Sequence, residues 1–307
     1  MHVTNHANLP ESIVAAVRND PYPHGKTGDI SCTQLIGPPQ QRILRMRHKD
    51  SLQEDAADRI WALLGQSVHT ILERADTVAL TEDRLFARVG GWDISGQFDR
   101  MALLTEIEED PETGQRTNVR ILQDYKVTSC WSVMDGAKDV WIAQLNVLAW
   151  LSRENGFSVD RLEVVAILRD WSKGRARKGG GMPDKPVVVL EVPVWPAIVA
   201  SNYVAGRVKL HQAAEQAESK SEPLPLCSDN ERWVRGEKWA VRKPGRKTAV
   251  RVFDCKQQAA AFAAENPSTF IEHRAGEPIR CQDYCEVAPY CAQYQSEIAD
   301  AMQREAA

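Results

Sequence analysis

Residues 119–127 read VRILQDYKV, an apolar-rich run that predicts a β-strand. Asp124 and Lys126 are two residues apart in this run, so a strand places their side chains on the same face. Asp99 lies in a second strand-like run, Gln97 to Leu104, upstream of a turn. We therefore expect the two runs to be neighbouring strands that bring two carboxylates and one ammonium together at a sheet edge.

This set of side chains predicts chemistry on a phosphodiester. Carboxylates bind the hard cations Mg²⁺ or Mn²⁺, which keep some water ligands and can hold a phosphodiester oxygen. Lys126 could orient or deprotonate the attacking water and offset the negative charge that develops on phosphorus. Asp99, Asp124 and Lys126 are therefore candidate catalytic residues.

The surrounding sequence predicts an α/β fold, with a mixed central sheet of about five strands flanked by helices. Ser51 and Glu54 have capping-box spacing, and apolar residues then recur at helical intervals to Leu72, which predicts a helix carrying His69 near its end. Further predicted elements are strands at 84–89, 161–168 and 187–192, a helix after Asp139 that ends at Gly156, and a helix from Pro196 to about Glu218.

In this order and spacing the motifs resemble those of the PD-(D/E)XK nuclease superfamily, in the branch with RecB-type nuclease domains, CRISPR-adaptation nucleases and phage exonucleases. The resemblance covers residues 30–294. It is carried by GQSVH at 65–69, similar to the branch's helical histidine motif, by GQFD at 96–99, by QDYK at 123–126, and by Gln144 on the following helix.

The resemblance implies a role for each of these residues. His69, Asp99, Asp124 and the backbone carbonyl of Tyr125 would bind the metal, while Lys126 would be catalytic and Gln144 would belong to the catalytic set. An imidazole ligand favours Mn²⁺ over Mg²⁺ more than an all-oxygen site does. The chain departs from the branch at Leu148, where a tyrosine is frequent, and this leaves the hydrolytic set untouched.

The predicted function is a metal-dependent deoxyribonuclease, an exonuclease on single strands or duplex ends in recombination, repair or phage replication. The chain has no phosphate-loop motif of a motor, so a helicase or a recombination protein is a plausible partner. Two alternatives stay open. One is a non-catalytic DNA-binding or assembly module with the same fold, and the other is a site-specific endonuclease.

Composition sets limits on these predictions. A chain of 307 residues with 43% hydrophobic residues can build a sizeable core, and the absence of a long apolar run predicts a cytoplasmic protein without a membrane partner. The net charge of −4 means that DNA binding must depend on local basic clusters. One such cluster is residues 173–178, which precede three consecutive glycines and predict a basic loop along the DNA path.

A second metal centre is predicted near the C-terminus. Cys281, Cys285 and Cys291 fall within eleven residues, and such thiolate clusters bind Zn²⁺ or iron–sulfur clusters, normally with four ligands. Resemblance to iron–sulfur members of the branch implies a [4Fe–4S] cluster, with zinc as the alternative, and Cys227 as the preferred fourth ligand. Cys32 and Cys255 remain alternatives for that position.

These predictions divide the chain into four segments. Residues 1–29 form a loosely structured N-terminal segment, and residues 30–222 form the PD-(D/E)XK nuclease core. Residues 223–296 form a small cysteine-bound module with a basic hairpin, and residues 297–307 form a polar tail.

Overall fold

A computed structural model describes residues 2–19, 28–107, 116–179 and 181–306 of the protein. Its α-helices are α1 (Glu11–Arg18), α2 (Cys32–Ile36), α3 (Pro39–Arg47), α4 (Ile60–Ala75), α5 (Asp139–Glu154), α6 (Lys173–Ala176), α7 (Ala197–Ser219), α8 (Asp229–Arg232), α9 (Lys256–Glu265), α10 (Ile279–Asp283) and α11 (Ala292–Ala306). Its strands are β1 (His2–Thr4), β2 (Ile30–Ser31), β3 (Gln53–Asp55), β4 (Leu80–Thr81), β5 (Arg84–Val89), β6 (Trp92–Gln97), β7 (Arg100–Ile107), β8 (Arg116–Thr128), β9 (Arg161–Leu168), β10 (Val187–Val192), β11 (Val234–Arg235), β12 (Lys238–Arg242), β13 (Arg251–Phe253), β14 (Phe270–Arg274) and β15 (Glu277–Pro278). The protein is a mixed α/β protein, as the sequence predicts.

The chain divides into two compact units. Unit 1 comprises Met1–Pro39 and Asp50–Pro223, and unit 2 comprises Gln40–Lys49 and Leu224–Ala307. Unit 1 ends at Pro223, and the predicted boundary follows residue 222. The assignment of residues 40–49 to the core is wrong, because α3 packs within unit 2, where Gln41 Nε2 donates to Glu286 Oε2 at 3.1 Å.

Unit 1 is built around a mixed five-stranded sheet with the order β10-β9-β8-β7-β4. Strands β8 and β9 are parallel, and the other neighbouring pairs are antiparallel. The parallel connection from β8 to β9 runs through α5, which packs on both strands. A separate three-stranded sheet, β2-β6-β5, also contacts α5.

The core of unit 1 explains why α5 occupies this position. Residues 145–152 are all buried, so the helix is covered on nearly every side instead of along one stripe. The strand beside it, β9, alternates buried and half-buried residues along its whole length. Gly156 follows the end of α5 with φ +83°, a conformation that glycine adopts readily and that stops the helix where the sequence predicts.

The N-terminal segment is more ordered than the sequence predicts. Strand β1 pairs in parallel with β3, and α1 buries Val14 and Val17 against Ala56. The prediction of a loose segment is therefore wrong for residues 2–19, while residues 20–27 lie outside the described residues. The elements have only three and eight residues, which is too short for a clear periodic pattern in the sequence.

The start of α4 also differs from the prediction. The segment that carries the capping-box spacing, Ser51 and Glu54, leads into strand β3, and α4 begins only at Ile60. Asp55 accepts a hydrogen bond from the backbone N–H of Ala57 and caps a short 3₁₀ turn, Ala56–Arg59, that precedes the helix. Pairing of β3 with β1 thus overrides the local capping signal. The end of the predicted polar tail is also helical, since α11 continues to Ala306.

Among the described residues, no helix combines the length and hydrophobicity that crossing a membrane requires.

Candidate functional site

The hairpin of β7 and β8 brings the two predicted carboxylates together. Its register pairs Arg100 with Gln123, the residues next to Asp99 and Asp124 in the chain, so the two aspartates lie at the same end of the strand pair. The backbone N–H of Tyr125 donates to Asp99 Oδ2 at 2.6 Å and holds that carboxylate against the strand. Both carboxylates line the same cleft.

Asp124 is the most deeply buried member of the group, with its side chain 3% exposed. Its Oδ1 accepts hydrogen bonds from Lys126 Nζ at 2.8 Å and from Gln144 Nε2 at 2.9 Å. Its Oδ2 lies 2.6 Å from the same ammonium but outside hydrogen-bonding geometry, so this buried oxygen has no hydrogen-bond partner among the described residues. Gln144 comes from α5, and the predicted glutamine therefore contacts the predicted carboxylate directly.

His69 projects from α4 toward the same strand. Its Nε2 lies 3.1 Å from the carbonyl oxygen of Tyr125, and its Nδ1 lies 3.3 Å from Glu82 Oε1 and 3.5 Å from Asp99 Oδ1. Gln97 Nε2 donates to the second oxygen of Glu82 at 2.7 Å. The imidazole is thus held between a backbone carbonyl on one side and two carboxylates on the other.

Burial and charge shift the acidity of this group. Burial, followed by the neighbouring charge of Asp124, raises the pKa of Asp99 to about 7. The hydrogen bond to Glu82 is the main cause that raises the pKa of His69 above its usual value, because a carboxylate favours the imidazolium. In the metal-free protein the cleft therefore retains protons that an ordinary surface Asp or His would have lost, and a bound cation would displace them.

One cleft of about 280 Å³ is lined by five of the predicted polar side chains, those of His69, Asp99, Asp124, Lys126 and Gln144. Gly96 on β6 also lines the cleft. A Cβ added at Gly96 would approach the side chains of Leu148 and Leu151 to 2.6 Å, so a larger residue here would require these leucines of α5 to shift. Leu148, at the position where the resembled nuclease branch frequently has a tyrosine, lines the cleft as an apolar residue.

The donor set fits a hard divalent cation. It offers the carboxylate oxygens of Asp99 and Asp124, a backbone carbonyl oxygen at Tyr125 and an imidazole nitrogen at His69, which are ligand types that Mg²⁺ and Mn²⁺ accept. Asp124 Oδ2, buried and paired only with the Lys126 ammonium among the described residues, is an oxygen of the chemistry that such a cation binds. A cation here would be held by Asp99, Asp124, His69 and the carbonyl of Tyr125.

Glu82 is a site residue that the sequence analysis missed. The ligand atoms of His69, Glu82 and Asp99 lie within 4.8 Å of one another, so Glu82 could bind a cation itself. It could instead orient the imidazole through Nδ1 while Nε2 binds the cation, as carboxylates commonly do at metal sites. Its backbone φ of +51° is unusual for a non-glycine residue and marks a constrained turn, a signal that the sequence does not display.

Not every acidic residue near the motif belongs to the cleft. Glu73 lies one helical turn beyond His69 on α4, but the structure leaves it exposed and outside the residues that line the cleft. Of the sequence-predicted residues, His69, Asp99, Asp124, Lys126 and Gln144 all line the cleft. The structure thus separates His69 from Glu73, although the two residues are only one helical turn apart on α4.

The four predicted cysteine ligands meet in unit 2. Cys227, Cys281, Cys285 and Cys291 line a single pocket there. The other two candidates for the fourth position lie elsewhere: Cys32 lines the carboxylate cleft of unit 1, where its Sγ lies 3.7 Å from the Gln144 carbonyl oxygen, and Cys255 precedes α9, with its Sγ 2.7 Å from Gln257 Oε1.

Cys227 is held firmly at this pocket although it lies far from the other three in sequence. Its backbone N–H donates to Gln293 Oε1 at 2.9 Å, and Gln293 Nε2 donates back to its carbonyl oxygen at 3.0 Å. Burial, followed by the charges of Glu231 and the other three cysteines, raises the pKa of the Cys227 thiol to about 12. Thiolates are the ligands that soft cations prefer, and a cation bound at this pocket would have to displace the thiol protons.

Comparison with known proteins adds little to this description. No protein-family model matches the chain, and no curated protein matches it. Among solved structures, the chain is similar to the crystal structure of SSO0001 at 18% sequence identity and a TM-score of 0.41, over 65% of this chain and 85% of that one.

Proposed function

We propose that the protein is a metal-dependent deoxyribonuclease of the PD-(D/E)XK type, in the RecB-like and phage-exonuclease branch. The observation that carries the proposal is the convergence of five side chains from separate elements on one cleft. They come from α4 (His69), the β6–β7 turn (Asp99), β8 (Asp124 and Lys126) and α5 (Gln144). Each of these side chains is common by itself in proteins. The hydrogen bonds from Lys126 and from Gln144 to Asp124 support the proposal that they act together at one site.

Each residue of the cleft has a separate role in the proposed phosphodiester hydrolysis. A bound Mg²⁺ or Mn²⁺ would supply a nucleophilic water at neutral pH and polarise the phosphodiester. Asp99, Asp124, His69 and the Tyr125 carbonyl would hold that cation. Lys126 orients the attacking water and stabilises negative charge on the phosphoryl oxygens. Gln144 keeps the Asp124 carboxylate in its orientation.

A cleavage assay tests this proposal. Labelled single-stranded and double-stranded DNA are incubated with the protein and Mn²⁺, with EDTA as the control. We expect loss of DNA only with the metal, and a decrease of at least ~100-fold in rate for Lys126→Met and for Asp124→Asn, the usual scale for one essential group. Lys209→Ala, an exposed lysine on α7, is the matched control and keeps the wild-type rate.

The outcomes separate the rival functions. DNA binding without metal-dependent cleavage would indicate a non-catalytic module and would contradict the proposal. Discrete fragments from circular plasmid DNA would indicate a site-specific endonuclease. Degradation of linear DNA, with circular DNA left intact, is expected of an exonuclease, the activity that we propose for work at single strands or duplex ends in recombination, repair or phage replication.

We further propose that the cysteine pocket of unit 2 holds a [4Fe–4S] cluster, with zinc as the alternative. The support is the meeting of four thiols on one pocket, with Cys227 fixed there by Gln293. Such a centre would stabilise unit 2, because metal binding at thiolates contributes directly to folding free energy. It would take no part in hydrolysis.

A further inference from the structure

Two tryptophans of unit 1 are exposed to solvent and contribute little to its core. Trp131 is 81% exposed in the 3₁₀ turn that follows β8, and Trp61 is 54% exposed in the first turn of α4. Tryptophan is usually well buried in folded proteins, so rings this exposed bury little area on folding and add little stability. Their exposure is better explained by binding than by folding.

Trp61 belongs to the helix that carries His69, and Trp131 lies in the turn directly after the strand that carries Asp124 and Lys126. Strand β8 carries Asp124 and Lys126, and Trp131 is five residues beyond Lys126, a distance of at most ~17 Å along the chain. Trp61 lies eight residues before His69 on α4, about 12 Å along the helix axis. A ligand held by these rings would be within reach of the cleft.

Arg169 contacts both the end of β8 and the first turn of α4. Its backbone N–H donates to the carbonyl oxygen of Thr128, the last residue of β8, at 2.9 Å. Its guanidinium lies 4.1 Å from the centre of the Trp61 ring, a cation–π contact. The Trp61–Arg169 pair is thus anchored to the same strand end from which Trp131 follows.

The charge beside the rings is strongly positive. Residues 169–178 carry five Lys or Arg side chains and one carboxylate, Asp170, whose Oδ1 accepts a hydrogen bond from the backbone N–H of Cys130 at 2.7 Å. Lys173, Arg175, Arg177 and Lys178 are exposed and form no ion pair with any residue that the structure describes. These cations are available to phosphates.

Exposed aromatic rings next to free cations are the combination that binds single-stranded nucleic acid. The rings stack on bases, which are accessible only when the strand is unpaired, and the cations follow the phosphates. A protein partner would also use tryptophan and arginine, but such interfaces are depleted of lysine and of clustered like charge. The excess of cations therefore favours a polyanion.

We propose that Trp131 and the Trp61–Arg169 pair form a base-stacking platform that holds an unpaired DNA strand beside the cleft. This inference rests on the proposed nuclease function and deepens it, because it identifies the substrate as single-stranded DNA or the unpaired end of a duplex. The platform binds bases without reading their sequence, and the basic segment 173–178 contacts the phosphates of the same strand.

The test measures binding without cleavage. The affinity of the full chain for fluorescein-labelled dT15 is measured by fluorescence anisotropy in EDTA. We expect Trp131→Ala and Trp61→Ala each to weaken binding ~10-fold, the scale for loss of one base-stacking contact, and Trp131→Phe to bind nearly as well as the wild type. The matched control is Phe86→Ala, which removes a half-exposed ring from β5 in the three-stranded sheet of unit 1 and leaves the affinity unchanged.

Two further measurements make the test specific. A blunt 15-bp duplex should bind with an affinity that hardly depends on Trp131, because its bases are not accessible for stacking. Mn²⁺-dependent hydrolysis of thymidine 5′-p-nitrophenyl phosphate, which has a single base, should be unchanged in Trp131→Ala, since the platform lies outside the cleft.

Each outcome decides between the two proposals. Unchanged dT15 affinity in both tryptophan variants would overturn the platform, even if the wild type cleaves DNA, and the rings would then fit a protein partner. Equal losses for Trp131→Ala and Trp131→Phe, or equal losses on dT15 and on the duplex, would overturn base stacking. If the wild type binds dT15 through both rings but shows no metal-dependent cleavage, the platform stands and the nuclease proposal fails.

Discussion

The acidity of Asp99 makes metal binding dependent on pH in a calculable way. With a pKa of about 7 in the metal-free protein, about a tenth of the Asp99 side chains are ionised at pH 6 and about nine tenths at pH 8. Only the carboxylate binds a cation, so the proton competes with the metal below pH 7. We expect the apparent affinity for Mn²⁺ to rise about 10-fold from pH 6 to pH 8 through Asp99 alone, and to level off above pH 8.

His69 acts in the same direction. Its pKa is raised mainly by the hydrogen bond to Glu82, and an imidazolium must also lose its proton before the ring can bind a metal. The rise in affinity is therefore expected to be at least 10-fold, because two groups instead of one must lose a proton before the cation binds. Above both pKa values the cation displaces no proton, and the affinity becomes independent of pH.

Isothermal titration calorimetry with Mn²⁺ at pH 6, 7 and 8, in buffers of different ionisation enthalpy, measures both the affinity and the protons released. Asp99→Asn should bind more weakly and release fewer protons at pH 7 than the wild type. Glu73→Gln, a change to an exposed carboxylate on the helix of His69, is the matched control and should match the wild type at every pH. Equal wild-type affinities at pH 6 and pH 8 would refute the role of Asp99 as a ligand whose proton the metal displaces.

Three further predictions follow from the two sites and the basic segment. If Glu82 orients His69, Glu82→Gln keeps an acceptor for Nδ1 and lowers Mn²⁺ affinity by less than ~10-fold, whereas a loss as large as that of Asp99→Asn would make Glu82 a direct ligand. Anaerobically purified protein should be brown, with absorption near ~400 nm that Cys227→Ser removes and Cys255→Ser leaves, while a colourless protein with stoichiometric zinc would contradict the cluster. Replacing the four cations of residues 173–178 by alanine should weaken DNA binding ~10-fold or more and reduce the salt slope by roughly two to four units; an unchanged slope would exclude this segment from the DNA path.

Strong periodicity made much of unit 1 predictable. Strands β9 and β10 begin and end at the predicted residues, and α5 and α7 agree within a residue or two, because long apolar patterns and end signals such as Gly156 dominate these segments. The capping-box spacing at residues 51–54 failed because pairing of β1 with β3 is a contact between residues about fifty apart, which local sequence does not reveal.

The residues of the candidate site were predictable where they form a short sequence motif with fixed spacing. Lys126 and Asp124 sit two residues apart, and a strand places them on one face whatever its neighbours are. Glu82 has no such spacing relation to His69 or Asp99, since it reaches them through a turn with positive φ and through Gln97. The sequence did not predict that α3 belongs to unit 2 for a similar reason. Helix α3 contacts Glu286, which lies more than two hundred residues further along the chain, and the local sequence of the helix does not reveal this partner.

The same contacts that build the core fix the geometry of the cleft. The register of β7 and β8 pairs Met101 with Leu122, which are 3% and 0% exposed, and reaches Arg100 and Gln123, the residues next to Asp99 and Asp124. A slip of one residue would turn the buried pair toward the other face of the sheet and separate the two carboxylates at the same time. The cost of exposing those apolar side chains therefore protects the position of the carboxylates, and a change that loosens the core at Leu122 is expected to impair metal binding before it unfolds unit 1.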